Sequence, residues 1–174
     1  MPHTVSLRSR SARLGISLCV LIAAFGSASN VLGAEQHTEI PMQTATGPFD
    51  VKITPEEEPN RAEDSTLGRM KLDKQFHGDL EAVGKGTMLT AMTDVKGSAA
   101  YVAIERVTGT LHGHRGSFAL AHKGTMTRGA QELTIQVVPD SGTGELQGLS
   151  GTMKINIIEG KHFYEFEYQL VPQR

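Results

Sequence analysis

Glu105 and His122 are the residues of this chain whose types and placement could do acid–base chemistry. They flank the loop His112-Gly113-His114-Arg115 inside the stretch from Tyr101 to Thr125, YVAIERVTGTLHGHRGSFALAHKGT. Apolar and β-branched residues alternate with polar ones on both sides, as in half-buried strands, and the glycine-containing connection marks a hairpin. Closure about Gly113-His114 sets Gly109 opposite Phe118, Val107 opposite Leu120 and Glu105 opposite His122. The carboxylate and imidazole then share a face with Tyr101, Ala103, Val107, Phe118 and Leu120. On the wall of an apolar cavity they would form a general acid–base pair, with burial raising the glutamate pKa and the histidine opposing that shift. In a filled core the same contact would satisfy two buried polar groups and fix strand register.

Other chemistry-bearing residues carry less. His112 and His114 form an H-x-H in a loop, with His77 elsewhere, and the spacing supplies no third ligand, so no metal site is assigned. Ser141-Gly142-Thr143-Gly144 resembles a fragment of a phosphate loop but lacks the lysine and the following helix. Ser117 lacks the strand-to-helix elbow of hydrolases. Arg115 could draw an anion to a barrel mouth or simply be solvated.

The elements that must position Glu105 and His122 are short strands. Phe49 to Ile53 alternates cleanly, and Thr54 to Ser65 is an acidic, proline-containing connection. Leu67 to Phe76 follows, with Met70, Leu72 and Phe76 as its apolar points. Leu80 to Val83 and Thr87 to Thr93 are separated by Gly84-Lys85-Gly86, which predicts a bulge or break. After the central hairpin come Glu132 to Val138, then Ile155 to Ile158 and His162 to Leu170, joined through Glu159-Gly160-Lys161. In the last strand His162, Tyr164, Phe166, Tyr168 and Leu170 share one face, and Glu165, Glu167 and Gln169 the other. No stretch after the first thirty-odd residues sustains a helical period over three turns, and sixteen of the nineteen glycines fall in that region and punctuate the strands. The pattern predicts an all-β, closed antiparallel barrel of about eight strands, whose interior holds packed side chains or one small ligand.

The chain begins differently. Arg8, Arg10 and Arg13 precede the apolar run Leu14 to Phe25 and a small-residue segment ending at Ala34. This is the three-part pattern of a secretory signal, and the run is short for a membrane span. Residues 1–34 are therefore expected to be removed, leaving no stable membrane anchor, a flexible leader over 35–47 and a barrel domain over 48–174. The expected location is secreted or periplasmic; the alternative is an uncleaved anchor. The lone cysteine, Cys19, lies within the apolar run, so the mature chain has no thiol for disulfides, catalysis or metal thiolates. Loss of three arginines leaves 14 basic against 19 acidic residues. That balance argues against nucleic acid as a partner.

The motifs also carry a resemblance. Glu105-Arg106-Val107-Thr108-Gly109-Thr110-Leu111, Gly116-Ser117-Phe118, Leu120, His122, Gly124-Thr125, and Val138-Pro139 followed by Ser141-Gly142-Thr143-Gly144-Glu145-Leu146 and Gly148-Leu149-Ser150-Gly151 resemble a bacterial family of uncharacterised proteins. The likeness spans Pro48 to Leu170. It implies an allene-oxide-cyclase-like β-barrel, more distantly similar to plant allene oxide cyclases and dirigent proteins. It implies no transferable activity, and no carboxylate here falls on a matching cyclase motif.

The expectation is thus an exported barrel that binds a small apolar or amphipathic molecule, without a cofactor. Tyr101, Phe118, Leu120, His162, Tyr164, Phe166 and Tyr168 are the candidate ligand-lining residues, and Glu105 and His122 the candidate catalytic ones. Two alternatives stand beside it. One is a cofactor-free isomerase or cyclase using that pair. The other is a structural, homo-oligomeric protein that buries Val102, Ile104, Ala119 and Ala121 between subunits.

Overall fold

The structure, a computed structural model, describes residues 40–171. The expected export signal and the start of the expected leader lie outside them. Nine strands follow one another: β1 Gln43–Pro55, β2 Asn60–Arg61, β3 Ser65–Phe76, β4 Leu80–Thr93, β5 Ala99–Leu111, β6 His114–Thr127, β7 Ala130–Val137, β8 Leu149–Ile158 and β9 Lys161–Leu170. A single 3-10 turn, Gly144–Leu146, sits between β7 and β8. Every long strand pairs antiparallel with its sequence neighbours, and β1 pairs with both β9 and β3, closing an eight-stranded barrel. The two-residue β2 is an appendage on β3.

Period-two burial runs through every wall. Odd-numbered residues of β1, β5, β7 and β8 and even-numbered residues of β3, β4, β6 and β9 point inward. The expected strands are all present, but boundaries differ: β8 begins at Leu149 rather than Ile155, β2 falls within the expected connection Thr54 to Ser65, and three further differences bear on the site. β1 begins at Gln43, inside the segment expected to be a leader, because Gln43 to Gly47 pairs with Tyr164 to Tyr168 of β9. β4 runs unbroken through Gly84-Lys85-Gly86, which pairs with β5 like its flanks. Glycine there serves close approach rather than a break: a Cβ on Gly84 would overlap the Glu105 carboxylate.

The third difference concerns the central hairpin. Its turn is the two residues His112-Gly113, not a four-residue loop, with φ of 45° and 86°. Positive φ at both positions gives the mirror-image turn whose twist matches paired strands, and glycine takes it without steric cost. The register therefore moves by two: Glu105 faces Leu120, Ala103 faces His122 and Val107 faces Phe118. A shift of two leaves every side chain on its predicted face, so Glu105 and His122 become diagonal neighbours.

The segment that resembles a phosphate loop serves the wall itself. β7 pairs with β6 only from Leu120 onward. Over the preceding residues of β6, Ser141 to Glu145 takes the place of a strand. The Ser117 amide donates to Thr143 Oγ1 at 3.0 Å, the Ala119 amide to Ser141 Oγ at 3.0 Å and the Arg115 amide to Glu145 Oε2 at 2.7 Å. The Thr143 amide returns a bond to the Ser117 carbonyl at 2.8 Å. One seam remains weak: β7 and β8 pair at Gln136 and Thr152 alone.

Candidate functional site

The barrel interior has a filled half and an open half. In the filled half Phe118, Phe166 and Tyr168 stack, with centroids 5.7 and 5.3 Å apart. Leu120, Leu111 and Leu146 pack around them. Tyrosine hydroxyls close this end. Tyr164 accepts the Leu80 amide at 2.8 Å and shares its proton between the carbonyls of Thr46 and His77, each at 3.0 Å. Burial pushes its pKa up to about 12, so it stays a donor. Tyr168 donates to Gln43 Oε1 at 3.0 Å and lies 2.7 Å from His112 Nδ1. Five of the seven residues expected to line a ligand site, Phe118, Leu120, Tyr164, Phe166 and Tyr168, therefore belong to the packed core. The shared face was legible in sequence, but depth along the barrel was not.

The open half holds a cavity of about 510 Å³. Tyr101 and His162 do line it, together with Val51, Leu72, Ile155 and the methionines Met70, Met88, Met92 and Met126. The Tyr101 ring lies against Gly124, its cross-strand partner, where a Cβ would collide with it. His162 packs on Phe49 with ring centroids 5.2 Å apart. Both sides of the weak seam also reach the cavity, through Leu133 on β7 and Ile155 and Ile157 on β8.

At the boundary between the halves sit three buried polar side chains: Lys74, Glu105 and His122. The Lys74 ammonium donates to Glu105 Oε2 at 2.7 Å and lies over the rings of Phe49 and Phe76, 5.4 and 5.6 Å from their centroids. His122 Nε2 is 3.1 Å from the same Oε2, but it is not aligned for a hydrogen bond. Glu105 Oε1, turned toward Gly84, has no hydrogen-bond partner. Burial pushes the Glu105 carboxyl up, but His122 and the Lys74 charge together outweigh it and hold the group below its ordinary value. Burial and the histidine oppose each other as expected, and the second cation that helps bring the group down, Lys74, was not anticipated. Lys74 and His122 face the cavity; Glu105 lies behind them, fully buried.

Lys74 is the residue that sequence reasoning missed. Its signal was present: it falls in phase with Met70, Leu72 and Phe76 on the inward row of β3. A charge on that row demands a buried partner, and the inward carboxylate two strands away on β5 is Glu105. His112 is committed to Tyr168, and His114 is exposed. Among the described residues no group of three or more His, Cys, Asp or Glu is placed to hold a metal ion.

A carboxyl held below its ordinary pKa adds stability that is complete above that ordinary value, 4.5, and is lost as pH falls through the lowered one. Glu105→Gln should thus cost about 3–5 kcal/mol at pH 7, since it strands a buried ammonium, and the gap to the native protein should close in acid. Replacing both charges, Lys74→Met with Glu105→Leu, should recover most of that loss. Denaturant unfolding from pH 7 to 3 measures all three; a Glu105→Gln deficit that does not change with pH would contradict the pair.

Comparison with known proteins agrees with this architecture. No curated protein matches the chain. Among solved structures, it is similar to the 1.84 Å crystal structure of a protein of unknown function from Shewanella oneidensis MR-1, of the DUF3224 family. The two are 55% identical, the match covers 76% of this chain and 100% of that one, and the TM-score is 0.72. The model of the family described as "protein of unknown function (DUF3224)" matches residues 45–168. The chain belongs to the DUF3224 family.

Proposed function

We propose that this barrel binds one small apolar or amphipathic molecule in its open half. The observation that carries the reading is the cavity itself, about 510 Å³ in volume, with apolar walls and two polar groups at its floor. At the roughly 30 Å³ that a water-sized unit occupies, the space suits about 17 non-hydrogen atoms. Four methionines on the wall favour adaptable packing over one rigid shape. Export of the protein, read from residues 1–34, belongs to the same proposal. A panel of medium-chain alcohols, ketones and terpenoid alcohols tests it by thermal unfolding. A ligand at one hundred times its Kd stabilises by about 2.7 kcal/mol. If no member of the panel raises the melting temperature, the cavity is not a binding site.

A second reading is a cofactor-free isomerase, for which a relationship to cyclase-type barrels is the sequence argument. It is supported by His122, which faces the cavity with ionised Glu105 behind it and Lys74 beside it. His122 would take a proton from carbon next to a carbonyl and return it to another carbon, while Lys74 donates a hydrogen bond to the carbonyl oxygen. Glu105 would orient the imidazole. Enolisable ketones incubated with the protein in deuterated water should exchange their α-protons by NMR, and His122→Asn should lower the rate at least tenfold. Exchange no faster than with heat-denatured protein dismisses this chemistry.

Self-association through the outer wall is the third reading. On β4 and β5 Leu89 sits directly opposite Val102, and both are about half exposed, as is Ile104. Glu57, Glu58 and Arg69 flank one side of this groove and Lys123 the other; with Arg69 paired to Glu56, a two-fold axis running along the strands would set the two glutamates of one copy against Lys123 of the other. The expected Ala119 and Ala121 are half-buried and do not line this groove. Sedimentation should show a dimer that Val102→Asp converts to a monomer. A native protein that remains monomeric at high concentration rejects the interface.

A further inference from the structure

We infer that the molecule held in the cavity presents an uncharged oxygen acceptor, a ketone, ester or alcohol, to Lys74 and His122, with its apolar body toward the mouth. This rests on the cavity being a binding site. Strand register sets the depth of each polar group. Met88, Ala103 and His122 form one inward row, and Thr90, Tyr101 and Gly124 the next row toward the mouth; Met92, Ala99, Met126 and Gln131 are nearer still. Lys74 lies on the other side of the His122 row from the mouth, aligned with Gly84. Behind the Thr90–Tyr101 row the lining thus offers an ammonium and an imidazole, and toward the mouth it is mostly apolar, with Thr90, Tyr101 and Gln131 as polar side chains among methionines, alanine and Leu133. A ligand with one polar end satisfies both regions only if that end goes in first.

Charge bookkeeping selects the kind of head. Lys74 is the one lysine or arginine on the lining among the described residues, and its charge is already matched by Glu105 at 2.7 Å. An ammonium carries three donors, and this one spends a single donor on Glu105. A neutral oxygen can accept from what remains without adding charge. A carboxylate head would instead place a second buried anion beside Glu105, with no second buried lysine or arginine to balance it.

The experiment is competition on the whole protein at pH 8. N-phenyl-1-naphthylamine, an uncharged fluorophore, reports occupancy, and it is displaced by dodecan-2-one, methyl dodecanoate, dodecane or dodecanoate. The ketone and the ester should displace it at concentrations at least tenfold below dodecanoate, and also below dodecane. In the Lys74→Met, Glu105→Leu protein, which keeps only His122 as a donor, the advantage of ketone over dodecane should fall severalfold. Dodecanoate competing as well as its methyl ester would overturn the inference while leaving the cavity a binding site. Fluorophore that never binds would overturn both. Should the double variant not fold, the ester-to-carboxylate ratio on the native protein still decides.

Discussion

The contact between Lys74 and Glu105 is the constraint around which the barrel interior is arranged. A fully buried carboxylate is tolerable only with a matched cation and room for both oxygens, and three strands cooperate to supply this. β3 brings the ammonium, β5 the carboxylate, and β4, lying between them, gives up a side chain at Gly84. Phe49 and Phe76 lie against the ammonium with their ring faces, which joins the pair to the aromatic core. His122 then rests against an already neutralised site. The floor of the cavity is consequently polar but carries little net charge, a combination that shapes every functional reading offered above.

The division of the interior into a filled and an open half follows from where large side chains fall along the strands. Aromatic residues of β9 stack on Phe118 at one end, and tyrosine hydroxyls bond the backbone and side chains that close it. At the other end the inward rows carry alanine, glycine, threonine and methionine. Small and flexible residues leave volume that large, rigid ones would occupy. The weak β7–β8 seam lies on the open side, and the Ser141 to Glu145 segment reinforces β6 on the other. Rigidity is thus concentrated around the packed end, and the wall that borders the cavity has the fewest backbone bonds to break.

A pair of hydroxyl residues does the work of a strand in this fold. Ser141 and Thr143 accept amide protons of β6 through their side chains, and the intervening glycine permits close approach to the backbone near Leu146. The Ser-Gly-Thr-Gly-Glu sequence that resembles a nucleotide-binding turn is accounted for by this wall repair. Its oxygen atoms are directed at backbone amides, so the motif is a structural one.

By itself the sequence determined the barrel class, the strands and which face of each points inward, since period two survives any even shift of register. That is why Glu105 and His122 share the interior even though the turn at His112-Gly113 moved their pairing by two. It also held the phase of Lys74 on β3, which becomes meaningful only once a carboxylate is known to lie within reach. Tertiary structure alone decided depth: whether an inward residue such as Phe118 or Tyr101 meets packed neighbours or empty space depends on strand stagger around a closed barrel. It likewise decided the sign of the Glu105 shift, because the ammonium that offsets burial comes from a residue 31 positions away in sequence and two strands away in space. Local pattern fixes orientation, while electrostatics and volume are sums over everything nearby, and proximity is set by the fold.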